Sequence, residues 1–283
     1  MKRQPGIWKT IGGKAGQVEA LTAMLPPFTR YVDPFVGGAS LPLYLRATGL
    51  AGPLVLSDVS SPVMCVYVAA RDHCDTLIDE LDPMRTMTGR EVFERYRDDL
   101  NALYRPQTGL LQTLMQVFTV PDVAARAIYL NRRTFNGLSR VNLSGELNMP
   151  WGADAVLPSA ETIRAVAQSL QGSDLRCCSF EDTIAATREG DLLFVDPPYL
   201  DLAGKDGFTS YAGSFGLRQH RKLEQACRAA GERGVKVLSC NADCAEARVI
   251  WRGWNIERVM ISRPGNRDKD GRGAVPELRI RNY

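Results

Sequence analysis

The sequence has no long hydrophobic stretch. Its apolar runs fall well short of the roughly 20 residues that a membrane-spanning helix needs, and the basic N-terminus MKRQPGIWKT has no apolar signal core. Internal repeats and low-complexity segments are also absent, which argues against repeat architectures. An apolar content of 45% and a charged content of 24% are ordinary for a globular protein. We therefore expect a cytoplasmic protein with no membrane partner.

Histidine is scarce, with two residues in 283, and the seven cysteines form no paired framework. An odd number of scattered cysteines is typical of reduced, buried thiols rather than of disulfides. Cys240 and Cys244 form a C-x3-C pair, but no second pair or nearby histidine completes the four ligands of a zinc site. We expect neither a disulfide framework nor a bound metal.

The net charge is small, at +3, and does not by itself indicate a polyanionic partner. Its distribution is more informative. Residues 123–145 contain four arginines and no acidic residue, and residues 252–281 contain eight basic residues against four acidic ones. Such patches suit contact with phosphate groups, although ordinary solvated surface charge explains each patch equally well.

Short apolar runs alternate with longer amphipathic segments. The predicted strands are residues 31–35, 54–58, 192–196 and 235–240. An amphipathic helix at 217–234 leads directly into the last of them. This alternation predicts an α/β protein with a mostly parallel, doubly wound sheet. Ligands of such sheets bind beyond the carboxyl ends of the strands, so Asp58 and Asp196 should lie on the ligand side.

The middle of the chain has a different pattern. Residues 60–118 look helical and amphipathic, whereas residues 127–152 carry Asn-Gly and Ser-Gly turn signals, as in a hairpin or an irregular loop. We predict a discontinuous catalytic domain of residues 1–59 and 156–283. The inserted domain, residues 60–155, should be mainly helical and carry a β-hairpin.

Two features near the first predicted strands suggest a ligand site. DPFVGGAS, residues 33–40, would bring backbone close to a ligand at the start of a helix near Ser40, although a plain tight turn fits as well. Asp58 follows about 20 residues beyond the glycines, where an acid takes the ribose hydroxyls of a nucleotide ligand. A turn or N-cap aspartate is the structural alternative.

The stretch FVDPPYLD, residues 194–201, combines a carboxylate, a rigid turn and an aromatic ring. The prolines fix the backbone after Asp196, so its carboxylate and the Pro197 carbonyl form a pair of acceptors. An exocyclic amino group on a base has the matching donors, and Tyr199 offers a face for stacking. An aromatic amine is a poor nucleophile, because its lone pair is delocalised. Two acceptors favour a pyramidal nitrogen that can attack. A rigid strand-end turn is the alternative reading.

Four segments, in this order, resemble the Dam-type family of DNA adenine N6-methyltransferases, the alpha group of the D12 class. They are WKTIGGK, DPFVGGAS, LNRRTFNG and FVDPPY. The resemblance covers nearly the whole chain. It implies a Rossmann-like sheet of the class I methyltransferases, S-adenosyl-L-methionine (AdoMet) as methyl donor without a metal, and a double-stranded DNA substrate.

The resemblance also implies roles for individual residues. The cofactor-binding residues would be Lys14, Phe35, Gly37, Asp58, Phe180, Glu181 and Asp196. The catalytic residues would be Asp196, Pro197, Pro198 and Tyr199. The DNA-binding residues would be Lys9, Arg133, Phe135, Asn136, Leu138 and Arg140. Phe135 would wedge into the duplex, and Arg140 would read a guanine edge or contact a phosphate.

The sequence departs from the family pattern at three positions. Ala39 stands where the family loop often has a second glycine, and Thr10 where it often has a tryptophan. Phe135 stands where close relatives commonly have a tyrosine, so a hydroxyl contact is lost. These departures bear on the recognised DNA sequence more than on the chemistry.

The predicted activity is methyl transfer to N6 of an adenine flipped out of duplex DNA, with a GATC-like site as the first expectation. Alternatives of the same chemistry are methylation of cytosine N4, of an RNA adenine or of a protein glutamine amide, and the arginine-bearing insert favours nucleic acid. A DNA-binding regulator without catalysis is the alternative from another class. The absence of a Pro-Cys dipeptide argues against cytosine C5 methylation. We expect a monomer, with or without a paired restriction enzyme.

Overall fold

The computed structural model describes residues 6–10, 12–104, 121–134, 146–200, 215–262 and 274–283. Its strands are β1 (Arg30–Asp33), β2 (Leu54–Asp58), β3 (Asp174–Cys177), β4 (Asp191–Val195), β5 (Lys236–Ala242), β6 (Asn255–Ser262) and β7 (Ala274–Arg281). They form one seven-stranded sheet in the order β3-β2-β1-β4-β5-β7-β6. The first five strands are parallel, and β7 lies antiparallel between β5 and β6. The predicted α/β class and Rossmann-like sheet are confirmed.

Helices cover both faces of this sheet. They are α1 (Val18–Thr22), α2 (Ser40–Ala47), α3 (Ser61–Asp72), α4 (Cys74–Met84), α5 (Arg90–Tyr104), α6 (Pro121–Arg133), α7 (Ala160–Leu170), α8 (Phe180–Ala185), α9 (Leu217–Glu232) and α10 (Ala245–Ile250). An apolar core therefore lies on each face of the sheet. Tyr31 of β1 is buried in one of these cores, and its neighbour Val32 is buried in the other. Burial on both faces explains why the strands read as continuous apolar runs. In the described ranges, every helix is too short or too polar to cross a bilayer.

The strand register determines where the site forms. Val32 of β1 lies opposite Val55 of β2 and Leu193 of β4. Because the strands run in parallel, their carboxyl ends meet at one edge of the sheet. Asp33 and Asp58 end β1 and β2, and Asp196 follows β4 directly. Three carboxylates that are distant in sequence therefore gather at the edge where ligands of such sheets bind.

The antiparallel strand β7 brings charged residues to the same edge. Glu277 lies opposite Ala242, the last residue of β5, and Arg279 lies opposite Cys240. Since β7 runs against β5, the first half of β7 lies at the carboxyl end of β5. Glu277 and Arg279 consequently join a site that is otherwise built from the parallel strands.

The insert differs from the sequence prediction in one respect. Residues 127–133, expected to be hairpin or irregular loop, form the second half of α6. Turn residues are concentrated beyond them, outside the described residues, whereas Ala127, Ile128 and Leu130 give this part a helical apolar face. An antiparallel bridge between Thr134 and Trp151 closes the segment. The hairpin expected within it lies outside the described residues.

The insert and the sheet share one hydrophobic core. Leu81 of α4, Phe93 of α5 and Tyr129 of α6 are buried in the same cluster as Tyr31 and Phe194 of the central strands. Helix α3, placed in the insert by the sequence prediction, packs against β2, β3 and α7. The domain limits at residues 60 and 155 remain a prediction.

Candidate active site

The glycine-rich turn after β1 is held by side chains from three directions. The carboxylate of Asp33 accepts a hydrogen bond from the N–H of Phe35 at 3.0 Å and from the hydroxyl of Tyr31 at 3.1 Å. Tyr67 donates to the carbonyl of Gly37 at 2.7 Å. Gly37 has φ of +42°, in the left-handed region that favours glycine. The turn is therefore rigid before any ligand binds.

Asp58 connects this turn to the end of β2. Its carboxylate accepts hydrogen bonds from the N–H of Gly37 at 3.1 Å and of Ser60 at 2.9 Å. Burial raises the pKa of Asp58 to about 6, although these backbone donors favour the ionised form. The side chain is half-buried, which leaves part of it accessible to a ligand. A fixed carboxylate of this kind can accept hydrogen bonds from the hydroxyls of a ribose.

Aromatic rings line one side of the strand ends. Phe35 stacks on Phe180 with ring centroids 5.6 Å apart, and Phe215 meets Phe35 edge-on at the same distance. Phe180 begins α8, which is capped by Ser179, whose hydroxyl accepts from the N–H of Asp182 at 3.1 Å. Glu181 is partly exposed and lies 3.9 Å from the ammonium of Lys222. Phe35 and Phe180 thus pack together, and Glu181 follows Phe180 on α8.

Lys14 lies at the centre of the strand-end charges. Its side chain is 5% exposed, and its ammonium is 2.7 Å from Oδ1 of Asp196 and 3.8 Å from Oε2 of Glu277. It also donates to the hydroxyl of Tyr199 at 2.8 Å. Burial alone would lower the pKa of Lys14, but Asp196, Cys240 and Glu277 together raise it. Lys14 therefore stays charged and favours the carboxylate form of Asp196, against the raising effect of burial on the pKa of Asp196.

The Asp-Pro-Pro-Tyr turn follows β4. The carbonyl of Pro198 lies 3.1 Å from Nε2 of His220 on α9. Within the part of the chain that the structure describes, no side chain donates to the carbonyl of Pro197. One carbonyl of the turn is therefore held by the protein, while the one predicted to receive an amino group has no partner among these residues. This arrangement fits the proposed pair of acceptors, Asp196 and Pro197.

The sequence prediction missed several residues of this edge. Asp33 is 2% exposed, and burial, the largest cause, raises its pKa to about 8. Arg279 is hydrogen-bonded to Glu277 and Gln17, and its guanidinium lies 2.9 Å from Sγ of Cys240. The sequence prediction read residues 252–281 as a basic patch, suited to phosphate contact or to solvated surface charge. In β7, Leu278 and Ile280 are buried on one face of the sheet, and Glu277 and Arg279 are buried on the other.

The N-terminal segment joins the site to the insert. The N–H of Lys9 donates to Oδ1 of Asn131, and Nδ2 of Asn131 donates to the carbonyl of Lys9, both at 2.8 Å. Arg132 donates to the carbonyl of Gly6. The side chain of Lys9 itself is exposed. Lys9 is thus held by its backbone near the end of α6.

The structure places Arg133 away from the surface. Its side chain is 3% exposed, lies 3.4 Å from a carboxylate oxygen of Asp154, and stacks over the ring of Tyr129 at 4.2 Å. Nη1 also donates to the hydroxyl of Tyr129 at 2.7 Å. This placement gives the predicted DNA contact of Arg133 no support. Phe135, Asn136, Leu138 and Arg140 lie outside the described residues.

The Asp196 carboxylate and the Tyr199 ring therefore lie together at the carboxyl edge of a Rossmann-like sheet, where ligands of such sheets bind. The chain matches the profile of the D12 class N6 adenine-specific DNA methyltransferase over residues 11–262. It belongs to this family, and it is an adenine-specific DNA methyltransferase.

Relatives of similar length support this assignment. A type II methyltransferase of Lactococcus lactis subsp. cremoris is 27% identical over 281 residues, which cover 97% of this chain and 94% of that protein. The DNA adenine methylase of Vibrio cholerae is 29% identical over 284 residues, with coverages of 98% and 96%. That of Escherichia coli is 28% identical over 284 residues, with coverages of 98% and 95%.

Proposed function

We propose that this enzyme takes its methyl group from AdoMet and transfers it to N6 of an adenine flipped out of duplex DNA. The proposal rests on the position of the Asp196 carboxylate at the end of a strand. Lys14 holds this carboxylate beside Tyr199, and the Pro197 carbonyl is next along the chain. A base within a duplex cannot reach this edge, so flipping is required.

The residues around the glycine turn fit the cofactor. At Gly38, an added Cβ would lie 3.1 Å from Oγ1 of Thr10, so the glycine lets the N-terminal segment pack closely against the turn. The carboxylate of Asp58 would hold the ribose hydroxyls, and Phe35 and Phe180 would pack on the adenine. Glu181 would accept from adenine or ribose. The nearby carboxylates of Asp196 and Asp58 suit a ligand with a positive charge.

When bound, AdoMet supplies a methyl group made electrophilic by its positively charged sulfur. Asp196 and the Pro197 carbonyl would accept hydrogen bonds from the two N–H groups of the N6 amino group and would orient its lone pair towards that methyl. As the N–C bond forms, the S–C bond of the donor would break and its sulfur would leave as a neutral thioether. The extra proton on N6 would pass to the carboxylate of Asp196 or to water. Tyr199 supports the flipped ring, and the prolines keep the acceptors in place. The rate enhancement arises mainly from positioning and preorganised electrostatics. The chain forms no covalent intermediate with the base.

The test is the variant Asp196→Ala, with Asp79→Ala, an exposed position on α4, as the matched control. Transfer of radiolabelled methyl groups to DNA should fall at least about 1,000-fold in Asp196→Ala and stay at the wild-type rate in the control. Titration calorimetry should show AdoMet binding in both variants. Wild-type turnover by Asp196→Ala would exclude the assigned role.

Asp58→Ala tests the cofactor site separately. Because Asp58 also holds the N–H of Gly37, we expect AdoMet affinity to fall about 10-fold or more, while methyl transfer at saturating AdoMet falls much less. Unchanged affinity would place the cofactor elsewhere. The role that we propose for Lys14 in this site is to keep Asp196 ionised next to the cofactor.

The DNA contacts are proposed from the sequence. Lys9, exposed at the end of α6, together with Phe135, Asn136, Leu138 and Arg140, would contact the target within the insert of residues 60–155. A GATC-like site is the proposed target, and methylation-sensitive sequencing of DNA from cells that express this chain tests it. We also propose that the enzyme acts as a cytoplasmic monomer. Sedimentation of the purified chain tests its oligomeric state.

A further inference from the structure

His220 is completely buried beneath the catalytic turn. It lies on α9 with 0% exposure, and Nε2 is 3.1 Å from the carbonyl oxygen of Pro198. The other histidine, His73, is exposed at the end of α3. A buried ring at a catalytic turn needs an explanation, because burial without hydrogen bonds on both ring nitrogens would destabilise the fold.

The neighbours of His220 determine which nitrogen carries the hydrogen. The N–H of Ala242 donates to Oδ1 of Asn241 at 2.9 Å, which fixes the orientation of the Asn241 amide. Its Nδ2 then lies 3.4 Å from Nδ1 of His220 and donates to it. Because Nδ1 accepts, the neutral ring carries its hydrogen on Nε2 and donates to Pro198. Burial lowers the pKa of His220 to about 4, which agrees with a neutral ring.

This hydrogen bond restrains a backbone torsion angle that the prolines leave free. Each proline fixes its own φ but not its ψ. The ψ angle of Pro198 sets the direction of its carbonyl. The same angle sets the direction of the next peptide and therefore the position of the Tyr199 ring. Anchoring this carbonyl therefore orients the end of the turn. It also leaves the Pro197 carbonyl as the acceptor for substrate.

The same ring contacts the proposed cofactor pocket through Phe215. Phe215 meets His220 edge-on at 4.9 Å, and it packs against Phe35 and Phe180 at 5.6 and 5.7 Å. A variant could therefore act by loosening the aromatic cluster instead of the turn. Loosening the aromatic cluster would change cofactor affinity, whereas loosening the turn would change the rate of methyl transfer.

We propose that His220 is a positioning residue for methyl transfer, whose Nε2–H bond to the Pro198 carbonyl orients the Asp196–Tyr199 turn. It touches neither substrate nor cofactor and acts through the turn. This inference rests on the proposed function of that turn and goes beyond it, because it assigns the two proline carbonyls different tasks.

The test compares His220→Gln with His220→Asn. Both side chains are polar amides, but only glutamine places an N–H donor about as far from the backbone as Nε2 of histidine. In His220→Asn we expect single-turnover methyl transfer to fall about 10- to 100-fold, as for a small misplacement of reacting groups. AdoMet affinity should stay within about 3-fold of wild type. His220→Gln should recover to within about 5-fold of the wild-type rate. His73→Gln and His73→Asn are the matched controls.

Three outcomes would overturn the inference. They are wild-type turnover by His220→Asn, equal loss in both variants, or a loss of AdoMet affinity that accounts for the loss of rate. NMR of the wild-type protein with isotope-labelled histidine is a second measurement that needs no variant. It should show His220 neutral with its hydrogen on Nε2, and the opposite tautomer would contradict the proposal. If wild type does not methylate DNA, or Asp196→Ala does, the proposed function fails instead.

Discussion

The carboxyl edge of the sheet and the end of α6 both carry charged side chains, but they use them differently. At the sheet edge, Lys14 and Asp196 come from distant segments and form a buried ion pair. At the end of α6, Arg132 and Arg133 belong to a dense basic patch, yet Arg133 is buried within the insert and Arg132 holds the N-terminal segment. Local density of charge is therefore a poor guide to contact with DNA. The position of a charge relative to the strand ends is a better guide to the chemistry.

The largest expected effect comes from breaking the ion pair between Lys14 and Asp196 at the sheet edge. Lys14→Met leaves Asp196 without its cation in a mostly buried place, whereas Glu277 keeps its contact with Arg279. We expect the free energy of unfolding to fall by about 3 kcal/mol and methyl transfer to fall more than about 100-fold. Denaturant unfolding and single-turnover assays measure the two effects. Lys236→Met, at an exposed position on β5, should change neither. Unchanged stability of Lys14→Met would mean that the pair is not formed.

A second prediction concerns pH. The folded pKa of Asp33 is about 8, against about 3.9 in an unfolded chain. Between these values the folded state binds more protons, so the free energy of unfolding should fall as pH rises from about 4 to 8, by up to about 1.4 kcal/mol per unit. Asp58 contributes in the same direction up to about pH 6.

Asp33→Asn should therefore make stability less dependent on pH. The amide oxygen still accepts from the N–H of Phe35, and the amide cannot ionise. We expect the decrease between about pH 5 and pH 8 to shrink by up to about 3.5 kcal/mol. Urea unfolding at a series of pH values measures it. An equally steep decrease in the variant would show that Asp33 is already ionised at neutral pH.

A third prediction contrasts two arginines of the basic patch. Arg133→Ala should lower the free energy of unfolding by about 1 to 3 kcal/mol, because it removes a buried guanidinium that donates to the Tyr129 hydroxyl and lies 3.4 Å from a carboxylate oxygen of Asp154. It should not alter sequence preference. Arg140→Ala should leave the unfolding transition unchanged and cost about 1 to 3 kcal/mol of discrimination at one base pair. Binding to DNA with single substitutions distinguishes them. A uniform loss of affinity in Arg140→Ala would assign it to phosphate contact.

The sequence predicted the parallel strands and the strand-end carboxylates well, because buried strands are continuous apolar runs and a carboxylate at their end interrupts them. Lys14, Asp58 and the Asp-Pro-Pro-Tyr turn were recognised through motifs of short range. His220, Glu277 and Arg279 could not be recognised in this way. They reach the site through the packing of α9 and the antiparallel insertion of β7, which depend on contacts between residues far apart in the chain. The burial of Arg133 likewise depends on tertiary contacts with Met87 and Asp154.

The smallest expected effects concern the glycine turn, where Ala39 follows Gly37 and Gly38. Ala39 has φ of +52° and is buried, so Ala39→Gly relieves a left-handed conformation worth about 1 to 2 kcal/mol. It also removes a buried methyl group and adds chain entropy to the unfolded state, each worth roughly 1 kcal/mol. These terms oppose each other, so we expect stability within about 1 kcal/mol of wild type and AdoMet affinity within about 3-fold.

Gly37→Ala is the matched change in the opposite direction. Gly37 already has φ of +42°, and a Cβ there would lie 3.3 Å from Cγ2 of Thr10, while the N–H must keep its bond to Asp58. The lower entropy of the unfolded chain offsets only part of the strain and of the crowding against Thr10, so stability should fall by about 1 kcal/mol and AdoMet affinity by about 10-fold. Thermal unfolding and calorimetry measure both variants. If Ala39→Gly weakened AdoMet binding as much as Gly37→Ala, the methyl group of Ala39 would itself shape the pocket, and the departure at this position would concern cofactor binding.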